Sequence, residues 1–240
     1  YDPRLDHAAH DFSPVENVSM ISLNVYGEVV DVVVDRVINA GYSGRDEDTV
    51  QAHIDELVAD GIPAPETVPA MYELSPSVLQ VNPESVRVVG SNTSGEAEFG
   101  LVVTGDETYV VAASDQTDRE LEQDNIQKSK QIAPNVLSRD AWRLSDLRGR
   151  WDDIKLTAWN TTDGDRCQYQ RATFGAIREP AELLAIAEER YGGPMDGTVL
   201  LSGTVATIDG EVTPGSRFEV SLRDHKVKKE LSVGYGIKQM

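Results

Sequence analysis

The run TSGEAEFGLVVTGDETYVVAASDQ, residues 93–116, constrains this chain more than any other part of it. From Glu96 to Ser114 it reads as two strands joined at Thr104-Gly105-Asp106, a hairpin turn. Residues two apart on a strand share a face, so Glu96 and Glu98 stand side by side. A turn at 104–106 brings the return strand, and with it Asp115, back beside Glu96. Three carboxylates then converge, with no lysine or arginine in the run. Either that face is open to water and the charges are solvated, or something positive sits between them. Like charges this close are mutually unfavourable unless protonated or neutralised, and an oxygen-only cluster suits Mg²⁺, Mn²⁺ or Ca²⁺.

The rest of the composition narrows the partners. With 41 acidic against 22 basic residues the formal net charge is -19, which argues against nucleic acid or an anionic membrane surface. Only seven of the basic residues are lysine, the pattern expected of a protein kept soluble in high salt. The single Cys167 cannot form an internal disulfide and reads as a packing residue. No run approaches the length of a membrane-spanning helix, and YDPRLDHAAHDFSPVEN lacks an apolar signal core, so a soluble, cytoplasmic protein is expected. Length fits one domain over residues 20–240 behind an N-terminal extension of residues 1–19.

Strands outnumber helices along the chain. MISLNVYG and EVVDVVVDRV read as two strands around Tyr26-Gly27, and WDDIKLTAWNTTDGDRCQYQRA as a hairpin turning at Asp163-Gly164. TVLLSGTVATIDGEVTPGSRFEVSLRD adds further strands. Val50, Ile54, Leu57 and Val58 have helical spacing between Asp46 and Ala59, with Gly61 as the stop. PAELLAIAEERYGG is a helix opened by Pro180 and ended by Gly192 and Gly193. Tyr72 to Val89 reads as a loop with one short strand, and the chain after SDQTDRELEQDN as a loop interrupted by Pro134. The class is mixed α+β, mainly β.

Two further groups bear on chemistry. Arg119, Lys128 and Lys130 follow Asp115 closely, and cations beside a carboxylate cluster suit an anionic substrate. The same residues can instead simply offset Asp118, Glu120, Glu122 and Asp124 as surface pairs. His53 and Glu56, at i and i+3, share a helix face, and a carboxylate can orient a histidine base. A histidine on a helix is also commonly an unremarkable surface residue. No glycine-rich phosphate loop, zinc spacing or GxSxG elbow is present.

Taken in order, GRDEDTVQAHIDEL, SGEAEFGLVV, VVAASDQTDRELE, QKSKQIAP and LLSGTVATIDGEVTPGSRFEV resemble the fumarylacetoacetate hydrolase superfamily. TSGEAE, SDQTDR and SKQ are similar to a branch of it with a domain of unknown function. The resemblance implies a mixed β-barrel or β-roll core with a few flanking helices and a short lid helix, a homodimer, and Mg²⁺ or Mn²⁺. It implies Glu96, Glu98 and Asp115 as metal ligands, His53 with Glu56 as the water-activating dyad, and Lys128 as the lysine that meets developing enolate charge. Lys130 is the other lysine of QKSKQ that can take that place. Arg119 would help place the lysine and, like Lys130, bind substrate, Gly203 and Thr204 would hold a substrate carboxylate, and Gln170, a polar residue of the facing strand, would join them in binding substrate. The implied activity is C–C bond hydrolysis of a 2-oxo or 1,3-dicarbonyl carboxylic acid through a metal-stabilised enolate. Decarboxylation or keto-enol isomerisation on the same scaffold, and binding of metal and organic acid without turnover, stay open.

Overall fold

The computed structural model describes residues 19–59, 63–105 and 107–240. The expected N-terminal extension thus lies outside the described residues apart from Ser19, as do the helix stop at Gly61 and Asp106 of the hairpin turn. Among the described residues no helix is long and apolar enough to cross a membrane.

Strands β1 (Ser19–Val25) and β2 (Glu28–Val34) form the first hairpin. Its turn residues Tyr26 and Gly27 have φ of 55° and 96°, the doubly left-handed geometry that matches strand twist. β3 (Arg36–Gly41) leads into helix α1 (Glu47–Ala59). The stretch expected as a loop with one short strand holds three: β4 (Ala70–Leu74), β5 (Leu79–Val81) and β6 (Ser85–Val88). β7 (Thr93–Thr104) and β8 (Glu107–Asp118) make the long hairpin. SDQTDRELEQDN and QKSKQ then supply helices α2 (Arg119–Asp124) and α3 (Ile126–Gln131), and the expected Pro134 loop gives way at once to β9 (Asn135–Arg143). Each six-residue helix starts on a side-chain cap, Asp118 for α2 and Asn125 for α3, and is too short to display a 3.6-residue period. β10 (Lys155–Thr162), β11 (Asp165–Thr173), helix α4 (Pro180–Tyr191), β12 (Thr198–Leu201), β13 (Arg217–Asp224) and β14 (Lys229–Gln239) complete the strands and α-helices among the described residues, with short 3₁₀ turns between some of them.

These strands form a nine-stranded sheet, ordered β2-β1-β9-β8-β7-β12-β3-β4 with β5 beside β9, and a five-stranded sheet, ordered β11-β10-β13-β14-β6. The large sheet is curled. Asn39 on β3 and Asn135 on β9 are separated by three strands in that order, yet their amides exchange hydrogen bonds of 3.2 and 2.7 Å. Inside the curl pack Val37, Leu74, Val102, Val111, Leu137, Val199 and Leu201. The outer face packs on the small sheet, with Ala97, Phe99, Leu101, Val110 and Ala112 against Phe218, Val220, Leu222 and Tyr235, and with Leu183 and Ala187 of α4. The sheets meet closely at Gly95, where a Cβ would fall 2.5 Å from the Phe218 ring. A polar clasp crosses the same interface: Tyr235 shares a 2.8 Å hydrogen bond with Ser114 Oγ and donates one of 2.9 Å to Gln116 Oε1.

Two measurements check this packing. Gly95→Ala should destabilise the protein by about 1–3 kcal/mol in chemical denaturation, because neither the β7 backbone nor the fully packed Phe218 ring has room to give. Asp224 accepts from Arg150 Nε at 2.8 Å and from the Lys226 and Val227 backbone N–H groups at 2.9 and 3.4 Å. Burial pushes its carboxyl up, but these donors outweigh burial and hold it below its usual value. A carboxyl depressed by folding stabilises the protein above its unfolded pKa and loses that contribution as the pH falls. Asp224→Asn should therefore lower the melting temperature at pH 7, and the gap to wild type should close as the pH is lowered from about 5.

Candidate metal centre

Inward positions along β7 change character in a fixed sequence: Val102, Gly100, Glu98, Glu96. The facing strand mirrors it with Val111, Ala113 and Asp115, because Glu96 lies directly opposite Asp115 in an unbroken antiparallel register. The apolar filling of the curl therefore ends in carboxylates at its mouth. One oxygen from each of Glu96, Glu98 and Asp115 lies within 4.8 Å of the others. Glu98 and Asp115 are buried, and Glu96 is only 17% exposed at its side chain.

The two cations come from the short helices. Lys130 reaches in from α3 and donates to Asp115 Oδ2, to Glu96 Oε2 at 3.2 Å and to Thr117 Oγ1 at 3.4 Å. Arg119, at the start of α2, donates to Ser94 Oγ at 2.7 Å, Glu96 Oε1 at 3.1 Å and Glu122 Oε2 at 2.8 Å. Of the two lysines in QKSKQ it is thus Lys130 that meets the carboxylates. Lys128 is exposed, since residues two apart on a helix do not share a face.

Each carboxyl responds differently to this setting. Burial would raise Glu96, but Lys130 and Arg119 outweigh it and hold Glu96 well below the usual carboxylate range. Glu98 lacks a direct cation partner, and burial reinforced by the charges of Asp115 and Glu96 pushes it well up. Burial also raises Asp115, with Lys130 opposing. Lys130 stays charged because the carboxylates around it overcome its burial.

These residues fit a divalent ion. Asp115 Oδ1 is buried and makes no hydrogen bond of normal geometry, while the amides of Asn39 and Asn135 bond each other, Asn39 lying near enough to Asp115 to lower its carboxyl in part. Burial and mutual repulsion raise Glu98 and Asp115, and a dication would offset that repulsion: with Glu96, Glu98, Asp115 and Glu122 all ionised against Lys130 and Arg119, the two negative charges left over are those that one Mg²⁺ or Mn²⁺ would neutralise. An all-oxygen donor set is the one such hard cations take.

Gly203 and Thr204 lie in the loop after β12. Gly203 has φ +79°, and a Cβ there would fall 2.2 Å from Ser43 Oγ, so only glycine fits. Its N–H donates to Glu98 Oε2 at 2.7 Å, and Thr204 Oγ1 donates to Ala97 O at 2.9 Å. Both groups thus face the strand that carries Glu96 and Glu98. Gln170 is buried against the same strand. His53 and Glu56 are elsewhere in character: their side chains are 61% and 79% exposed on α1 with 3.9 Å between Nδ1 and Oε2. Among the described residues no hydrogen bond or ion pair ties either to the carboxylates. Between α1 and the cluster stands Tyr42, its ring 6.4 Å from that of His53 and its φ +54°. Burial raises the Tyr42 phenol and pushes Tyr72 up to about 12, and both sense Glu122 and Lys130. Tyr42, Tyr72, Glu122 and the Asn39–Asn135 pair escape a reading of the sequence, since single tyrosines and asparagines carry no spacing signal.

Solved structures with this architecture give the fold its place. The chain is similar to a protein designated Cg1458, solved with an inhibitor (TM-score 0.62, 15% identity, 86% of this chain and 78% of that one). It is similar to 2-keto-3-deoxy-D-arabinonate dehydratase complexed with magnesium and 2,5-dioxopentanoate (0.58, 15%, 85% and 73%). It is also similar to 5-carboxymethyl-2-hydroxymuconate delta-isomerase from Mycobacterium smegmatis (0.57, 15%, 89% and 84%). The fold is the fumarylacetoacetate hydrolase-like one, mainly β with a curled sheet. Residues 40–235 match the family described as "Protein of unknown function (DUF2848)", and the chain belongs to that family. No curated protein matches it.

An ion held by these carboxylates will stabilise the folded state. Mn²⁺ at about 100 times its dissociation constant should add about 2.7 kcal/mol, seen as a rise in melting temperature that EDTA reverses. Glu98→Ala and Asp115→Asn should abolish the rise.

Proposed function

We propose that this chain is a metal-dependent enzyme acting on a 2-oxo or 1,3-dicarbonyl carboxylic acid, hydrolysing a C–C bond by way of an enolate. The observation that carries the reading is the meeting of three carboxylate oxygens within 4.8 Å, with the Lys130 ammonium among them. Glu96, Glu98 and Asp115 hold Mg²⁺ or Mn²⁺, which when bound acts as a Lewis acid toward the carbonyl oxygens of such an acid. The magnesium and dioxopentanoate bound by the similar dehydratase support this choice of ion and ligand class. Cleaving a bond beside a carbonyl leaves its electron pair on an enolate, and a fixed, buried ammonium stabilises that charge as it forms. Arg119 grips Glu96 from the side opposite Lys130 and so fixes the lysine's partner in place. His53, with Glu56 beside it, takes a proton from the attacking water.

A second reading, decarboxylation or keto-enol isomerisation without water activation, is favoured by the exposure of His53 and Glu56. Turnover of acylpyruvates and oxaloacetate separates the two. Lys130→Met should lower kcat by about 10²–10³ for either substrate. His53→Ala should abolish acylpyruvate hydrolysis under the first reading and leave turnover intact under the second. Wild-type protein that binds Mn²⁺ and turns over neither substrate would instead be a metal and organic-acid binder.

A further inference from the structure

β11 breaks its pairing with β10 near the site. Ala158 pairs with Gln170 but Trp159 pairs with Gln168, leaving Tyr169 as the extra residue of a bulge. Bulges re-aim side chains that strict alternation would send elsewhere. Here the bulge turns Gln170 inward, at 1% exposure, and its amide is fully engaged. Oε1 accepts the Ala97 N–H at 2.9 Å, and Nε2 donates to Thr204 Oγ1 at 2.8 Å and to Val205 O at 2.5 Å. Thr204 Oγ1 passes the connection on to Ala97 O at 2.9 Å. Ala97 is the residue between Glu96 and Glu98, and Gly203, next to Thr204, supplies the N–H that holds Glu98 Oε2.

We propose that Gln170 is a positioning residue of the metal centre and not a substrate contact. It clamps Thr204 and Val205 onto the β7 backbone, and the clamped loop holds the Gly203 N–H on Glu98, which sets the direction in which that carboxylate presents its free oxygen. The proposal rests on the metal reading above and gives that site a second layer. An amide is the group required: a carboxylate at the same place lacks both donors and adds a negative charge beside Glu98, and an aliphatic side chain leaves the buried Ala97 N–H without an acceptor. Groups that orient a metal ligand from behind typically change affinity by about 10- to 100-fold when removed.

Calorimetric Mn²⁺ titration tests this, with Asn160→Ala as the control. Asn160 Nδ2 anchors the far end of the same loop by a 2.8 Å bond to Thr213 O. Gln170→Leu should weaken Mn²⁺ binding by about 10- to 100-fold. Asn160→Ala should lower the melting temperature of the metal-free protein and leave Mn²⁺ affinity at the wild-type value. Should Gln170→Leu fail to fold, Thr204→Val breaks the same clamp at its relay and should weaken Mn²⁺ in the same direction. Wild-type affinity in the clamp variants, or an equal loss in Asn160→Ala, overturns the proposal. Folded wild-type protein that binds no Mn²⁺ overturns the metal reading itself.

Discussion

Three carboxylates brought together in a buried space repel one another, and the architecture of this protein depends on the two cations placed between and beside them. Lys130 bridges Glu96 and Asp115, while Arg119 ties Glu96 to Glu122. Removing one partner from such a network leaves an uncompensated buried charge, the expensive case for ion pairs away from water. The short helices that carry these cations are in turn fastened to the opposite edge of the curl. Gln131 Oε1 accepts the Ser75 N–H at 2.8 Å and Gln127 Nε2 donates to Glu73 O at 2.6 Å. Electrostatic need at the site and closure of the large sheet are met by the same two helical turns.

The interior of the curl is layered. Branched aliphatic side chains fill one end, the small residues Gly100 and Ala113 form a step, and Glu98, Asp115, Asn39 and Asn135 line the mouth. At Gly100 a Cβ would meet Val111 Cγ2 at 2.8 Å, so the step is small because the aliphatic layer already occupies the space. The ordering sets a polar cluster on an apolar floor, where electrostatic interactions are stronger than in water.

Much of this was legible in the residues. Glu-x-Glu on one strand and an Asp placed by a countable return strand define a register, and the register is the one observed. Tyr26-Gly27, Asp163-Gly164 and the Pro180 helix carry turn and cap chemistry that needs no tertiary help. What was not legible is short or cooperative. Helices α2 and α3 span six residues each and exist through their caps and contacts, so the choice between Lys128 and Lys130 could not be made from spacing. β9 directly follows Pro134 and mixes Ser138, Arg139 and Asp140 into its run, which masks a strand that is nonetheless held between β8 and β1. The inward aim of Gly203 and Thr204 depends on Ser43, Gln170 and Ala97, residues distant in sequence.

The Tyr235 hydroxyl bears on the site from behind. Its two partners, Ser114 and Gln116, flank Asp115 in the chain, and they point through the opposite side of the sheet. A slip of β8 by one residue against β7 would exchange the faces and carry Asp115 out of the cluster. The phenol therefore works as an index pin: a group of the small sheet, on the opposite side of β8, fixes which side chain of a Ser-Asp-Gln triplet faces the carboxylate cluster. The make-up of the cluster is guarded partly from the opposite surface of the sheet.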